Sequence, residues 1–378
     1  MAANTAAIDH VHMARALQLA ARGKYSTAPN PAVGCVLLDA NGAVVGEGWH
    51  HRAGQAHAEV YALHAASIRA RGGTVYVTLE PCSHHGRTPP CADALIEAGV
   101  RRVVVAMQDP NPRVAGDGLR KLAAAGIVTA VGILEREARE LNRGFVSRMT
   151  RGRPWVTVKI GSSADGRTAL ADGSSQWITS EPARADVQLL RARASAIVTG
   201  IGTALADDPA LTVRDGTLDL GGRVPLRVVL DSQGRLEPDL KLARDGLPTL
   251  VFSSSAGARA LARLVEAESS VLQVETLPAD AAGGIDLDAT LQRLAALECN
   301  EVLVEAGPRL AGSFLAAGLA DEIVLYVAPT ILGDKAQPSF VLPQPLRVLA
   351  ERPLYSYHDV RRIGPDLRLT LRPAETRP

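Results

Sequence analysis

His57-Ala58-Glu59, then Thr74-Val75-Tyr76-Val77-Thr78-Leu79-Glu80-Pro81-Cys82, then Pro90-Cys91 are the stretches whose reading decides how the first part of this chain folds. Thr74 to Leu79 is an apolar run rich in β-branched residues and reads as a buried strand, with Cys82 just past its end. Cys91 opens the apolar helix Cys91-Ala92-Asp93-Ala94-Leu95-Ile96-Glu97-Ala98-Gly99, which glycine closes, and Pro90 suits its start. His57 heads a second apolar helix, from about Ala58 to Ala70. An imidazole and two thiols therefore stand at element ends, where a helix N-terminus favours the thiolate that metal binding requires. Three such ligands give zinc a site whose fourth position stays with water, the arrangement of catalytic sites and not of structural ones. Water held there loses its proton near neutral pH and becomes a nucleophile.

Glu59 lies two positions after His57, so on a helix it points to a different side and is a poor second ligand. It is better placed to move protons. His-x-Glu followed by Pro-Cys is the zinc deaminase pattern, in which the Glu is the general acid/base, although the two cysteines here are further apart than in that pattern. A fourth ligand from His50, His51, His84 or His85 would turn the site into a closed structural one. Cys35, inside Val33-Gly34-Cys35-Val36-Leu37, and Cys299 read as core packing.

The 378 residues suit two domains rather than one core. A 47% hydrophobic content is globular, while a net charge of +1 and 3% aromatics provide neither the basic field nor the stacking platform of a nucleic-acid binder. A small-molecule substrate is the expectation. No apolar stretch approaches the roughly 20 residues of a membrane span, and the start Met1-Ala2-Ala3-Asn4-Thr5 lacks a signal-peptide pattern. Four cysteines in a chain this long make no disulfide framework, so a cytoplasmic location is expected.

Outward from the zinc motif, a helix near Asp9 to Ala21 precedes a strand at Val33 to Leu38, an Asn41-Gly42 hairpin turn and a strand at Ala43 to Trp49. Beyond it come strands at Arg102 to Ala106 and Ile127 to Val131, and helices at Leu119 to Ala125 and Glu135 to Phe145. The basic segment Arg148 to Pro154 reads as a linker. Strands then recur at Val156–Ile160, Ser195–Thr199, Arg227–Leu230, Thr249–Phe252, Ser270–Val274, Glu301–Val304 and Glu322–Val327, with helical stretches between most of them. The second half is thus an α/β domain with a largely parallel sheet. Gly200-Ile201-Gly202-Thr203-Ala204-Leu205 begins like a dinucleotide fingerprint, yet Leu205 replaces the third glycine. Glu305-Ala306-Gly307-Pro308-Arg309-Leu310-Ala311-Gly312-Ser313 is a better anion cradle, with a glycine, a helix start and an arginine.

On these motifs the chain resembles the bifunctional riboflavin-biosynthesis deaminase/reductases over nearly its whole length. In the first half the resemblance rests on Asn30-Pro31-Ala32-Val33-Gly34, Gly48-Trp49-His50, His57-Ala58-Glu59, Glu80 to His84, Gly86 to Cys91 and Asp109-Pro110-Asn111-Pro112. In the second it rests on Asp165-Gly166-Arg167, Ser175 to Thr179, Ala206 to Arg214, and Val304 to Pro308. It implies a cytidine-deaminase-like three-layer α/β domain over 1–148, a linker at 149–153, and a dihydrofolate-reductase-like α/β domain over 154–378. Zn2+ would sit on His57, Cys82 and Cys91, with Glu59 catalytic. Asn30, His50, His84 and Arg87 would hold the deaminase substrate, a phosphorylated pyrimidine. Lys159, Ser175, Arg191, Leu211, Arg214 and Glu305 would hold the reductase substrate. NADPH would contact Gly161, Trp177, Thr203, Asp207, Ser232 and the run Gly307, Pro308, Arg309, Leu310, Ala311, Gly312 and Ser313. Hydrolytic deamination would be followed by reduction of the ribosyl to a ribityl chain, in a homodimer or homotetramer.

Two rivals differ in kind. A deaminase of RNA bases with a non-catalytic reductase-like domain would want a basic surface and the tighter Pro-Cys-x-x-Cys. A zinc-stabilised binding module on a dead reductase would have no use for Glu59.

Overall fold

The computed structural model describes residues 2–83, 89–267 and 271–374, so His84 and Arg87 lie outside the described residues. The chain divides into two compact units, Met1–Arg153 with Asp219–Arg223, and Pro154–Leu218 with Val224–Pro378.

In the first unit the order is α1 (Ala2–Ala21), β1 (Gly34–Leu38), β2 (Val44–Trp49), α2 (Ala58–Ala66), β3 (Thr74–Val77), α3 (Cys91–Glu97), β4 (Arg102–Val105), α4 (Asp117–Ala124), β5 (Val128–Val131), α5 (Glu135–Leu141) and α6 (Arg143–Arg151). The strands form one sheet in the order β2-β1-β3-β4-β5. β1 runs antiparallel to both of its neighbours, while β3, β4 and β5 are parallel. Alternation along the strands divides the buried residues between two cores, as the two-residue side-chain period of a strand requires. Cys35, Leu37, Val75, Val77, Val103 and Val105 meet α2, α3 and α4 on one face. Val36, Tyr76 and Val104 meet α1 and α5 on the other, which completes three layers.

The sequence expectation differs from the structure at two joints. The helix anticipated from Glu135 to Phe145 is two helices, because buried Asn142 leaves the helical path and pairs its amide with the backbone of Ala32, at 2.8 and 2.9 Å. The linker anticipated at 149–153 is in part helix: α6 continues to Arg151 and ends on left-handed Gly152.

The second unit runs β6 (Trp155–Ser163), β7 (Arg167–Ala169), α7 (Glu181–Arg193), β8 (Ala196–Gly200), α8 (Ile201–Asp207), β9 (Leu226–Leu230), α9 (Lys241–Arg244), β10 (Thr249–Ser253), α10 (Ser255–Ala260), α11 (Ala262–Ala267), β11 (Leu272–Thr276), α12 (Leu287–Ala296), β12 (Glu301–Glu305), α13 (Pro308–Ala316), β13 (Glu322–Ala328), β14 (Gln337–Pro338), β15 (Tyr355–Ile363) and β16 (Asp366–Pro373). Its main sheet has the order β11-β10-β9-β8-β12-β6-β13-β16-β15. All pairs from β11 to β13 are parallel, and β16 and β15 add antiparallel. From β8 the chain proceeds outward through β9, β10 and β11, whereas from β12 it proceeds to β13 on the other side. The crevice between β8 and β12 is therefore a topological switch point, the place where open α/β sheets bind ligands at the carboxyl ends of their strands.

In the first unit, α1 is fastened to the sheet by a buried polar knot. The Asp9 carboxylate accepts from Arg102 Nη1 and Nη2 at 2.7 Å each and from the Tyr76 hydroxyl at 2.9 Å. The Arg102 hydrogen bonds hold the Asp9 pKa below the usual carboxylate range. Its stabilisation is therefore present at neutral pH and is lost as pH falls through the carboxyl range. We expect Asp9→Asn to cost about 1–3 kcal/mol, because it leaves the half-buried Arg102 without its charge partner. The melting transition of the first unit should drop by several degrees, and an unchanged melting temperature would contradict this.

Candidate active sites

Three element ends converge in the first unit. His57 is the residue immediately before α2, Cys91 is the first residue of α3, and Cys82 lies on the segment leaving β3. α2 lies directly on β2, since a Cβ added to Gly48 would stand 2.4 Å from the Ala58 carbonyl oxygen. His57 Nδ1 is 3.2 Å from Cys91 Sγ and 3.6 Å from Cys82 Sγ. All three ligand atoms lie within 4.8 Å of one another, and among the described residues no other group of metal-type side chains converges in this way. Zinc bonds of about 2.3 Å to sulfur and 2.0–2.1 Å to nitrogen give a tetrahedral N···S edge of about 3.6 Å, so these spacings fit a zinc ligand set.

The electrostatics agree with that fit. The Cys91 side chain, with help from the Cys91 backbone N–H at 3.3 Å, pulls the Cys82 thiol pKa well below its usual range. The neighbouring Cys82 thiolate and burial push the Cys91 thiol up, as expected when one of two adjacent sulfurs must keep its proton until a cation arrives. Hydrogen bonding to Cys82 raises the His57 pKa. Glu59 is 3% exposed and outside the ligand group, and burial raises its pKa to about 7, where a carboxyl both accepts and returns a proton.

His50 and Asn30 form a fixed pair beside the metal ligands. His50 Nδ1–H donates to Ala56 O at 2.9 Å, and Asn30 Nδ2 donates to His50 Nε2 at 3.1 Å, which uses both ring nitrogens. Burial lowers the His50 pKa, in keeping with an Nε2 that accepts from Asn30. The ring meets His57 edge-on, with centroids 5.5 Å apart. His51 is stacked between Trp49 and Tyr61, at 4.3 and 4.5 Å. Neither histidine thus serves as a fourth ligand here, whereas His84 and His85 fall outside the described residues. Cys35 and Cys299 are buried, as anticipated.

The second unit carries a cavity of about 1290 Å³ at its switch point. Gly200, Gly202, Thr203 and Asp207 line it from the β8–α8 side, and Glu305, Gly307, Pro308, Arg309, Leu310 and Ser313 from the β12–α13 side. Lys159, Gly161, Ser175, Trp177, Arg191, Leu211, Arg214 and Ser232 complete the anticipated residues on its wall. Ala311 and Gly312, also anticipated, are not on the wall and turn inward on α13. Ala311 packs in the core, and a Cβ on Gly312 would stand 2.0 Å from Val341 O.

Charge inside this cavity is unevenly paired. Arg191 is not a free fork for an anion: its Nε and Nη2 donate to the Glu305 carboxylate at 2.6 and 2.9 Å, and its Nη1 donates to Thr212 O at 2.9 Å. Burial pushes the Glu305 pKa up, yet Arg191, Lys159 and Arg214 together hold it below the usual range. Burial lowers the Lys159 pKa. Neither Lys159 Nζ nor the Arg214 guanidinium has a hydrogen-bond partner among the described residues. Thr203 Oγ1 accepts the Gly307 N–H at 2.9 Å, which ties the two glycine turns together.

Several wall residues escaped the sequence reading. Arg184 lies 4.6 Å over the Trp177 ring and donates to Thr179 O at 2.6 Å. Gln188 accepts the Arg214 N–H at 2.8 Å. Leu230, Ile285 and Leu287 supply apolar wall, and Arg235 and Lys241 supply charge. No local motif marks them, since they come from separate crossovers.

The first unit thus holds a zinc-type ligand set beside a buried carboxyl, and the second an α/β sheet with a ligand cavity at its switch point. Residues 7–107 match the family described as the cytidine and deoxycytidylate deaminase zinc-binding region, and residues 154–369 match the RibD C-terminal domain. The riboflavin biosynthesis protein RibD of Escherichia coli (strain K12) is 48% identical over 372 residues, which is 96% of this chain and 99% of that protein. A solved structure of Acinetobacter baumannii RibD superposes with a TM-score of 0.89 at 44% identity, covering 98% of this chain and all (100%) of that one. A Thermotoga maritima protein, described as a diaminohydroxyphosphoribosylaminopyrimidine deaminase/5-amino-6-(5-phosphoribosylamino)uracil reductase, gives a TM-score of 0.83 at 33% identity, covering 98% of this chain and 100% of that one. The chain belongs to the RibD family of bifunctional riboflavin-biosynthesis enzymes.

Burial separates the thiols. Once metal is chelated, Cys82, which is only partly buried, should react with a thiol reagent in the folded chain, while Cys35, Cys91 and Cys299 should wait for unfolding. Four thiols reacting in the initial burst would contradict this placement.

Proposed function

We propose that 1–148 is the deaminase and 154–378 the reductase, and that the two act in turn on one pyrimidine. The first replaces the exocyclic amino group of a diamino-ribosylamino-pyrimidinone 5′-phosphate by oxygen and releases ammonia. The second reduces the ribosyl to a ribityl chain at the expense of NADPH. The Thermotoga maritima relative's description names this pair of activities. The observation that carries the reading is the meeting of His57, Cys82 and Cys91 beside a buried carboxyl poised near neutrality.

Zinc, held by His57, Cys82 and Cys91, would supply Lewis acidity and lower the pKa of water at the site. Glu59 takes a proton and delivers one to the departing amine. A carboxyl with a pKa of about 7 suits both halves of that transfer. His50, fixed as the neutral Nδ1–H tautomer, holds Asn30 through its Nδ2, which leaves the Asn30 carbonyl to accept from an N–H of the base. His84 and Arg87 would add substrate contacts from the loop between the cysteines.

In the reductase, NADPH would supply the hydride. The glycine turns at Gly200–Gly202 and Gly307, each opening a helix, suit its diphosphate, and Ser232, Asp207, Gly161 and Trp177 lie on the same wall. Lys159 and Arg214, both without hydrogen-bond partners among the described residues, suit the substrate phosphate. Arg191 instead orients Glu305, and with Ser175 and Leu211 shapes the substrate end. The volume of about 1290 Å³ has room for a dinucleotide and a second ligand. We further place the enzyme in the cytoplasm as a homodimer or homotetramer that binds no nucleic acid. Its four free cysteines support the compartment and its near-neutral net charge of +1 the lack of a nucleic-acid partner, and no described helix is long and apolar enough to cross a membrane.

The test is one coupled assay with the pyrimidine substrate, following ammonia release and then NADPH oxidation. Glu59→Gln should keep one zinc per chain, lose deamination by roughly 10²- to 10⁴-fold, and reduce the deaminated intermediate at the wild-type rate. Equal loss of both activities in a folded variant would count against separate sites. Arg214→Met should raise KM for the reductase substrate at least tenfold and leave NADPH affinity unchanged; an unaltered KM would remove Arg214 from the phosphate site.

A further inference from the structure

Glu80 stands two residues before Cys82 and has no part in the chemistry above. It is 6% exposed, and its carboxylate accepts four backbone N–H groups, all from the segment after β4. Oε2 takes those of Asp109 and Gly116 at 3.1 and 3.0 Å, and Oε1 takes those of Gly118 and Leu119 at 2.9 and 3.3 Å. Glu80 N–H in turn donates to Met107 O at 3.0 Å. The Asp109-Pro110-Asn111-Pro112 stretch, which the sequence reading left without a role, folds into successive Asx turns that lead into this cradle. Asp109 Oδ1 accepts Asn111 N–H at 2.8 Å, and Asn111 Oδ1 accepts Arg113 N–H at 3.1 Å.

The consequence falls on the next two residues. The first turn of α4 lies against the Pro81–Cys82 peptide, so that a Cβ on Gly118 would stand 2.0 Å from the Pro81 carbonyl oxygen. On its other side Cys82 is tied to α3, through Ala92 N–H to Cys82 O at 3.1 Å and Cys91 N–H to Cys82 Sγ at 3.3 Å. The thiolate is thus held between two helix starts, and the Glu80 carboxylate is the link to one of them.

We propose that Glu80 is a positioning residue for the zinc site: by clamping the Asp109–Leu119 segment, it fixes where the Cys82 sulfur stands and thereby sets the affinity for the metal. This rests on the zinc reading above. The clamp also explains why a long cysteine spacing still gives a formed site, since Cys82 is fixed from outside the loop that joins it to Cys91.

The experiment uses the full chain. Zinc affinity is measured by competition with a chelator, and the cobalt-substituted protein reports sulfur geometry through its thiolate-to-cobalt charge-transfer band. In Glu80→Gln an amide N–H₂ faces backbone donors, and zinc should bind roughly 10- to 100-fold more weakly, as for groups that orient metal ligands from behind, with an altered cobalt band. Asp9→Asn is the control, expected to lower the melting temperature with zinc affinity and cobalt band unchanged, because it disturbs the same sheet through α1. In the unaltered chain, zinc should slow amide exchange at Gly116, Gly118 and Leu119 relative to the chelated protein, since coupling between two sites is reciprocal. A folded Glu80→Gln with wild-type affinity and band overturns the proposal. If that variant does not fold, exchange at those three amides indifferent to zinc overturns it. A wild-type chain that binds no zinc removes the metal reading itself, and this inference with it.

Discussion

A cation that needs three soft donors around one point can be held only where the backbone brings three element ends together. His57, Cys82 and Cys91 meet that demand from the start of α2, the segment leaving β3 and the start of α3. Packing makes it possible. β2 carries glycines where α2 crosses it, so the helix start sits low enough for the imidazole to reach the sulfurs. The same low seat buries Glu59, and burial gives its carboxyl a pKa near neutrality. The position of the imidazole and the burial of the carboxyl therefore follow from one contact between a helix and a strand.

The second unit obeys a related constraint with a different ligand. Parallel strands oblige the chain to cross over, and each crossover begins at the same edge of the sheet. Where the winding direction reverses, between β8 and β12, two crossovers part and leave a crevice with α8 on one side and α13 on the other. Helix starts carry unpaired N–H groups and a partial positive charge, which suit an anion. Thr203 joins the two glycine turns across that crevice, so their spacing is set before any ligand enters.

How much of this was legible in the sequence followed how local the information was. The zinc ligands and Glu59 lie in two short stretches with type-specific spacing, and most strands stand out as apolar runs. Charge pairing in the reductase cavity was not legible: Arg191 and Glu305 are 114 positions apart, and only the fold reveals that the arginine fork is occupied while Arg214 is not. Arg184, Gln188 and Glu80 were missed for the same reason, because each acts on a partner supplied by another segment or a later turn. The β15–β16 hairpin escaped because Tyr355-Ser356-Tyr357-His358-Asp359-Val360-Arg361-Arg362-Ile363 is an edge strand, largely exposed, with too many polar residues for an apolar run. Asn142 and α6 show the converse error, where a helical pattern and a basic stretch were followed past the residue at which tertiary contacts decide.

The loop from Asp207 to Arg214 shows what such contacts can hold in place. Asp208 and Leu211 both have left-handed backbones, φ +40° and +49°, a conformation that costs a residue with a side chain about 1–3 kcal/mol. Lys241 N–H donates to Asp208 Oδ1 at 2.8 Å, and Arg191 and Gln188 hold Thr212 and Arg214. Beneath them Arg227, fully buried in β9, forks onto Asp245 at 2.6 and 2.8 Å and donates to Ala210 O at 3.3 Å. A buried guanidinium is costly to desolvate and is tolerated here because its donors are distributed over one carboxylate and several carbonyls. The bent loop turns Leu211 inward to a 2% exposed position and leaves Arg214 on the cavity wall. The strain in two residues is thus the means by which a charge reaches the site, and Arg227, which lines no part of the cavity, is among the residues that maintain it.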